Sequence, residues 1–287
     1  MNTNQQVYIS FWEDSYCRLK KNKLAMLGLS TLLALIILSI IIPIFSTHKY
    51  YEANLPMKNL SPSIESPFGT DELGRSMFVR IWIGTRISLL IGISAALIDM
   101  IIGVLYGGLA GLIGGKTEEI MMRITDIISS IPNLLIIILL LVVMRQGIFT
   151  IIITIAITGW VGMARIIRGQ ILSIKEQNFI HAARGLGANN FRILTRHLIP
   201  NCFGSIITIV TFTIPHAIFT EAFLSFLGLG VQVPMASLGV MAKDGLSAIS
   251  FYPYRLFFPA AFISIIMLSF NLLGDGLRDA FDSRLSK

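Results

Sequence analysis

The sequence is poor in charged residues, cysteine and histidine. Asp, Glu, Lys and Arg together make up only 14% of its 287 residues, against about 25% in an average soluble domain. The two cysteines, Cys17 and Cys202, fall in segments that we expect in the cytoplasm, so no disulfide is predicted. The four histidines form no cluster and no CxxC pair occurs, so a structural metal site is not expected. The low charge content excludes an ordinary soluble domain.

Long apolar runs take the place of the missing charge. Hydrophobic residues make up 54% of the chain, and a helix of about 20 apolar residues is long enough to cross a bilayer. The first run is longer than the ~7–15 residues of a signal-peptide core and lacks a cleavage site, so it is predicted to remain as a helix. The predicted fold class is an all-α, polytopic integral membrane protein with six transmembrane helices. The spans are predicted at about 24–45, 86–110, 120–144, 148–167, 203–226 and 257–275.

The basic residues indicate which ends of these spans face the cytoplasm. With the N-terminus inside, fifteen Lys and Arg fall in the inner segments and eight in the outer segments. Because cytoplasmic loops carry an excess of Lys and Arg, both termini are predicted to be cytoplasmic. The net charge of +7 therefore belongs to loops beside a lipid bilayer, and nucleic acid is not expected as a partner.

The predicted organisation follows from these spans. The chain divides into a cytoplasmic N-terminal segment at 1–23, a first transmembrane helix at 24–45, an extracytoplasmic segment at 46–85, a core of five transmembrane helices at 86–276 and a cytoplasmic C-terminal tail at 277–287. The core includes a cytoplasmic loop at 175–200 and an outer loop at 228–256. The outer loop is rich in Gly and Pro, and we predict little regular structure there.

The first outer segment is predicted to contain an amphipathic helix. Thr70 is a suitable N-cap, and Asp71 and Glu72 would then lie at the positive end of the helix dipole. The apolar residues that follow recur every four positions, which suits a helix lying flat at the outer membrane surface. These apolar residues are Leu73, Met77 and Ile81.

The second and fifth spans carry residues that are unusual in a membrane. Small residues let helices approach closely in lipid, either within one chain or between subunits. In the second span these residues are Gly84, Ser88, Gly92, Ala96, Gly103, Gly107 and Gly111. Carboxylates at mid-membrane cost about 2.5–3.5 kcal/mol on insertion scales, so Asp99 and Glu221 are expected either to bond to a neighbouring helix or to face a wet path.

A basic, amphipathic segment at 177–200 separates the fourth and fifth spans. It contains three Arg and two His and no acidic residue, and its apolar residues Phe191, Leu194 and Leu198 are predicted to share one helix face. Gly185 and Gly187 should divide it into a helix, a turn and a second helix. Pro200 should end it. Periodicity alone leaves two interpretations open: a segment that docks on a protein partner, or a loop that lies on the lipid surface.

The same segment resembles the EAA loop of permease subunits from ATP-binding-cassette (ABC) importers. The family pattern is EAA, three residues, Gly, nine residues and then I-x-L-P. Ala182, Ala183, Gly187 and Pro200 match it in register, while His181 stands in place of the usual Glu. In the family this loop forms the coupling helices that dock into a cleft of the cytoplasmic ATPase.

Two further stretches are similar to the C-type subunit of peptide and nickel importer permeases. Residues 68–78, FGTDELGRSMF, with 84–89, GTRISL, look like the outer segment of that subunit. Residues 221–234, EAFLSFLGLGVQVP, are similar to the outer end of its fifth span. This chain has Met235 and Leu238 where the family often has Pro and Trp. Three motifs in the right order make the resemblance specific.

The resemblance implies the type I ABC importer permease fold and a subunit that is not an enzyme. Implied partners are a homologous permease, one or two ATP-binding subunits that hold ATP and Mg, and an extracytoplasmic substrate-binding protein, at a bacterial inner membrane. This chain is predicted to hold no cofactor, since its sequence at 110–117, AGLIGGKT, misses the first glycine of the phosphate-binding pattern and trails a membrane helix. Short peptides are the substrate that the resemblance favours, with nickel or a metal–metallophore complex as the alternative.

The resemblance also implies roles for particular residues. The residues implied in ATPase coupling are Ala182, Ala183, Arg184, Gly187, Ala188, Phe191, Arg192, Leu194 and Pro200, with Phe191 and Leu194 filling an apolar groove of the partner. Weaker candidates for the translocation path or outer gate are Asp99, Arg86, Glu221, Asp71 and Arg75. Residues 68–82 are a candidate gate or docking surface for the binding protein. Two other classes remain open: an ion-coupled secondary transporter that uses membrane carboxylates, and a membrane scaffold or quinone-binding subunit.

Overall fold

The computed structural model describes residues 11–144, 147–232 and 234–281. Two of the predictions fall partly outside these ranges: the N-terminal segment before residue 11 and the tail after residue 281. Arg145, which we counted on the outer side, also lies outside the described residues. The regular structure of the described part is helical, apart from one isolated antiparallel bridge between Thr70 and Ser76.

Five helices of the described part are long and apolar enough to cross a bilayer. They are α2 (Lys23–Phe45), α3 (Met77–Ile113), α6 (Ile148–Ile174), α10 (Phe203–Phe226) and α12 (Tyr254–Phe281). A sixth span is formed if α4 (Gly115–Ser130) and α5 (Asn133–Val143) are taken together. The shorter helices are α1 (Phe11–Lys21), α7 (Asn178–Gly185), α8 (Asn190–Ile193), α9 (Ile199–Asn201) and α11 (Leu238–Ser247).

The predicted third span is a bent pair of helices. The axes of α4 and α5 differ by 78°. Pro132 is the residue just before α5, and Ile131 before it has an extended backbone, with φ −94° and ψ 130°. The residue before a proline is disfavoured in the α region because the proline ring clashes with it, so the chain turns at this point.

The separate outer helix predicted from Thr70 is wrong. The helix begins at Met77 and runs without a break into the membrane as α3, whose 37 residues are longer than one crossing requires. Before it, the Asp71 carboxylate accepts hydrogen bonds from the backbone N–H groups of Leu73 and Arg75, both at 2.9 Å. Gly74 has φ +71°. These side-chain and glycine turns take the place of the first helical turn.

The predicted outer loop at 228–256 contains a helix that composition did not indicate. In α11, the Ser237 side chain accepts a hydrogen bond from the backbone N–H of Val240 at 3.3 Å. Gly239 lies so close to the backbone of Ala222 in α10 that a side chain there would overlap it. The helix is therefore held by its cap and by packing against α10 and α12.

The small residues of α3 pack against helices of the same chain. A Cβ added at Gly103 would lie 2.6 Å from Met163 of α6, and one added at Gly107 would overlap the Ala164 backbone. Gly92 packs in the same way against Ile218 of α10. The regular spacing of small residues thus holds α3, α6 and α10 together as a core, which fixes the walls of the site described next.

Candidate functional site

The segment at 177–200 forms a helix, a turn and a second helix, as its sequence predicts. α7 ends at Gly185, and Gly187 has φ +83°, in the left-handed region that glycine adopts without strain. Asn189 begins α8, where its side chain accepts a hydrogen bond from the backbone N–H of Arg192 at 2.8 Å. The turn therefore has a positive-φ glycine at its centre and a side-chain cap at its end.

Pro200 does not end the segment, contrary to the prediction. A π-helical turn at Leu194–Leu198 follows α8, then α9 begins at Ile199 and leads through Cys202 into α10. The Ile199 N–H donates to the Leu194 carbonyl, five residues back. Pro200 is tolerated because it lies in the first turn of α9, where a backbone N–H would have no helical partner. α8 is therefore joined almost continuously to the membrane helix α10.

The exposed apolar surface of this segment differs from the predicted face. Phe191 is 75% exposed and Leu186, between the two glycines, is 90% exposed. Leu194 is only 3% exposed and packs with Ile193 and Leu198 against α3 and α6. In this structure Leu194 therefore packs inside the chain and is not exposed beside Phe191.

The other predicted coupling residues lie on or near the surface. Ala182, Arg184, Gly187, Arg192 and Pro200 are exposed, and Ala183 and Ala188 are partly buried. Sequence analysis missed Leu186, which breaks the helical periodicity. An isolated leucine in a polar, glycine-flanked turn was the available signal.

A cavity of about 830 Å³ opens between α3, the α4–α5 pair, α6 and α10. Asp99 of α3 lies in its wall, 2% exposed, against Gly159 of α6. Arg165 and His216 also line the cavity. The sequence singled out Asp99 but not Arg165, which was counted only as a loop charge.

Arg165 marks the end of the cavity next to α4. Its Nη2 donates to Asp126 at 2.9 Å, to Ser129 at 3.1 Å and to the Thr125 carbonyl at 3.2 Å. Arg168, one turn further along α6, pairs with Glu118. These pairs tie α4 to α6 at this end of the cavity, and Arg165 is the charged side chain that lines it there.

Glu221 lies outside the lining of the cavity and is fully buried. Ser88 of α3 donates to one of its carboxylate oxygens at 3.0 Å, and Ser225 donates to the other at 2.7 Å. This network joins α3 to α10, and Ser237 contacts it through Ser225 at 3.3 Å. Glu221 is thus hydrogen-bonded to a neighbouring helix, which is the first of the two roles predicted for it.

The charged residues of the outer segment form a buried cluster. Asp71 pairs with Arg75 at 2.7 Å and lies 3.5 Å from Arg80. Burial raises the pKa of the nearby Asp244 carboxyl, on α11, while Arg80 favours its charged form. Asp71 and Arg75 therefore hold the outer end of α3 against the segment that precedes it.

Two further expectations concern the outer side. Arg86, a candidate for the path or the outer gate, is exposed on α3. Much of the stretch at 68–82, the candidate gate or docking surface for the binding protein, is buried within the chain, including Met77 and Ile81. The surface that this stretch offers to a partner is therefore smaller than an amphipathic helix would provide.

Comparison with known protein families decides the class of this protein. Residues 103–287, which include the cavity walls on α6 and α10 and the whole segment at 177–200, match the family described as binding-protein-dependent transport system inner membrane component. The chain belongs to this family. Residues 10–62 match the N-terminal transmembrane domain of oligopeptide transport permease C.

The sequences of several similar proteins align with almost the whole length of this chain. The oligopeptide transport system permease protein OppC of Bacillus subtilis (strain 168) is 53% identical, with 97% of this chain and 92% of the relative covered. The dipeptide transport system permease protein DppC of the same organism is 54% identical, covering 97% and 88%. OppC of Escherichia coli (strain K12) is 40% identical, covering 96% and 92%.

A solved structure shares the fold of this permease. A chain of the MetNI methionine ABC transporter, in an inward-facing conformation, superposes with a TM-score of 0.59 at 18% identity, covering 71% of this chain and 97% of that one. The match confirms the predicted ABC importer permease fold. The family and its relatives together favour a permease of a bacterial transport system over the ion-coupled transporter and scaffold alternatives.

Proposed function

We propose that this permease carries short peptides across a bacterial inner membrane as one subunit of an ABC importer. The observation that carries the proposal is the identity of 53% and 54%, over nearly the full chain, to oligopeptide and dipeptide permeases. A homologous permease would complete the path, and an extracytoplasmic binding protein would deliver the peptide. ATP and Mg²⁺ would be held by separate ATP-binding subunits, so this chain supplies no catalytic residue.

The exposed part of the segment at 177–200 is the proposed contact with the ATP-binding subunits. Leu186 and Phe191 offer apolar side chains to a groove, and Arg184 and Arg192 flank them with positive charge. Large apolar side chains that become buried at a protein interface carry much of the binding energy. This contact requires the segment to face the cytoplasm, which agrees with the predicted orientation of both termini.

The connection between α8 and α10 provides a route for force to reach the cavity. Ile193, Leu194 and Leu198 fasten this end of α10 to α3 and α6. A displacement of Phe191 by the ATP-binding subunits would therefore move α10, one face of which lines the cavity between Ile209 and Phe223. Rocking of packed helices about such a contact is a common form of alternating access.

The proposal is tested by transport in proteoliposomes that contain the complete importer, purified through this chain. Uptake of radiolabelled tri-alanine should require ATP inside the vesicles and the binding protein outside. Uptake of ⁶³Ni²⁺, free or with a metallophore, measures the alternative substrate in the same vesicles. Transport of nickel without transport of peptide would contradict the proposal.

The nickel alternative has less support from the chain itself. No group of three His, Cys, Asp or Glu residues is close enough to hold a metal ion in the described ranges 11–144, 147–232 and 234–281. A metallophore complex would need no such group, so the uptake experiment decides between the two substrates.

A further inference from the structure

Asp99 has an unused hydrogen-bonding atom in the wall of the cavity. The residue is 2% exposed, and its Oδ1 has no hydrogen-bond partner among the residues that the structure describes. Buried carboxylates normally accept hydrogen bonds or pair with a cation. Glu221 is an example, since two serine hydroxyls donate to it. The Asp99 carboxylate therefore has an oxygen in the wall of the cavity that lacks a partner in the described part of the chain.

Two glycines of α6 keep the space beside Asp99 open. The carboxylate contacts Gly159 so closely that a Cβ there would overlap it. At Gly162, one turn along the same helix, a Cβ would meet no atom within 4 Å. Gly159 therefore makes room for the Asp99 carboxylate itself, and Gly162 leaves open space in the cavity wall one turn further along α6.

Among the described residues that line the cavity, Asp99 carries the one negatively charged side chain. The hydroxyls of Thr158, Thr213 and Thr220 donate to backbone carbonyls of their own helices. The other ionisable side chains that line the cavity are His216 and Arg165. Neither side chain carries a negative charge, so neither can form an ion pair with a cation.

The separation along α6 between Gly159, which Asp99 contacts, and Arg165 suits a short zwitterion. Arg165 lies six residues along α6 from Gly159, which is about 9 Å along a helix axis. An extended peptide spans about 3.3–3.6 Å per residue, so roughly three residues cover this distance. The Arg165 partner Asp126 is an exposed residue, and exposed ion pairs are weak enough to be exchanged for another anion.

We propose that Asp99 binds the primary ammonium group of a peptide inside the cavity, with the carboxylate end of a short peptide directed toward Arg165. This inference rests on the proposed function and adds a binding site to it. The ammonium group would come from the peptide N-terminus or from a lysine side chain, since both present the same donors.

The test compares peptides with and without an ammonium group in wild-type and Asp99→Asn importers. The quantity measured is kcat/KM for uptake of tri-alanine divided by kcat/KM for N-acetyl-tri-alanine. Any preference of the binding protein is the same in both importers and cancels when their ratios are compared. Asp99→Asn should lower the ratio at least tenfold. Thr213→Val, which changes the same cavity at a hydroxyl already bound to its own helix, should leave the ratio unchanged.

A further peptide identifies the source of the ammonium group. N-acetyl-Ala-Ala-Lys carries only the side-chain ammonium, so sensitivity of its uptake to Asp99→Asn assigns that source, and insensitivity assigns the N-terminus. If the binding protein rejects acetylated peptides, equilibrium dialysis with the purified importer and labelled tri-alanine replaces uptake. Asp99→Asn should then reduce bound peptide at least fivefold.

The outcomes separate this inference from the proposed function. An equal loss of both peptides in Asp99→Asn would make Asp99 a structural or proton-binding residue and overturn the inference, as would no change at all. A wild-type importer that takes up no peptide would overturn the proposed function itself. Peptide uptake in the wild type with an unchanged ratio in the variant would overturn only the role of Asp99.

Discussion

Replacement of Gly187 by alanine tests whether the shape of the 177–200 segment controls coupling. Gly187 has φ +83°, and a Cβ at this position would meet no atom within 4 Å. The substitution therefore adds strain without a clash. An L-residue in the left-handed region costs about 1–2 kcal/mol, which changes the population of the observed turn by about 5- to 30-fold.

The expected result is weaker binding of the ATP-binding subunits. Affinity is measured between the permease pair in nanodiscs and the purified ATP-binding subunits, and Gly187→Ala should raise the Kd by about 5- to 30-fold. Gly187→Pro should have a larger effect. Proline cannot adopt a positive φ, and it removes the N–H that donates to the Arg184 carbonyl at 2.9 Å.

Gly185→Ala is the matched control, because Gly185 ends α7 and also has open space around it. Alanine has a higher helix propensity than glycine, so this variant should bind the ATP-binding subunits as well as the wild type does. Equal affinities for Gly187→Ala and Gly185→Ala would refute the reasoning. Normal peptide-stimulated ATP hydrolysis in Gly187→Pro would refute it as well.

Three further predictions concern the coupling surface and the core. Phe191→Ala should lower peptide-stimulated ATP hydrolysis at least tenfold, because it removes an apolar contact with the ATP-binding subunits. Phe251 is similarly exposed but lies in the outer loop, so Phe251→Ala should leave the rate unchanged. Equal rates for the two variants would argue against the docking role. Gly107→Leu should lower the free energy of unfolding of the purified permease by about 1–3 kcal/mol, since the added side chain overlaps the α6 backbone. Gly162→Ala should leave it unchanged, and similar unfolding temperatures for the two variants would contradict the packing argument. Glu221→Ala should cost about 1–3 kcal/mol by leaving serine hydroxyls unpaired, and an unchanged unfolding temperature would show that this network is not structural.

The spans were predictable because their signal is local. An uninterrupted apolar run is sufficient to predict a membrane helix, and the limits of α2 and α10 agree with the predicted 24–45 and 203–226 to within a residue. The outer helix was mispredicted for a local reason as well. Thr70 and Asp71 are typical of helix caps, but they are also typical of turns, and only the contacts of the folded chain select between them.

The candidate site was only partly predictable. The register of Ala182, Ala183 and Gly187 indicated the segment at 177–200, and the low charge of the spans drew attention to Asp99. Leu194 is buried by packing against α3 and α6, which leaves no pattern in the local sequence. Arg165 resembled any other basic residue at the end of a span until the fold placed it in the cavity.

The sequence by itself determined a helical membrane permease, the positions of its long apolar helices and the location of its basic segment. These follow from composition and short-range spacing, because a bilayer requires every spanning backbone to satisfy its own hydrogen bonds. Only the tertiary structure decided which side chains face the cavity and which pack in the core. Asp99 and Glu221 are both acidic residues within apolar spans, yet Glu221 accepts from two serine hydroxyls, while one carboxylate oxygen of Asp99 has no hydrogen-bond partner among the described residues. One of the two serines, Ser88, is 133 positions away from Glu221 in the chain, so only the folded structure brings them together.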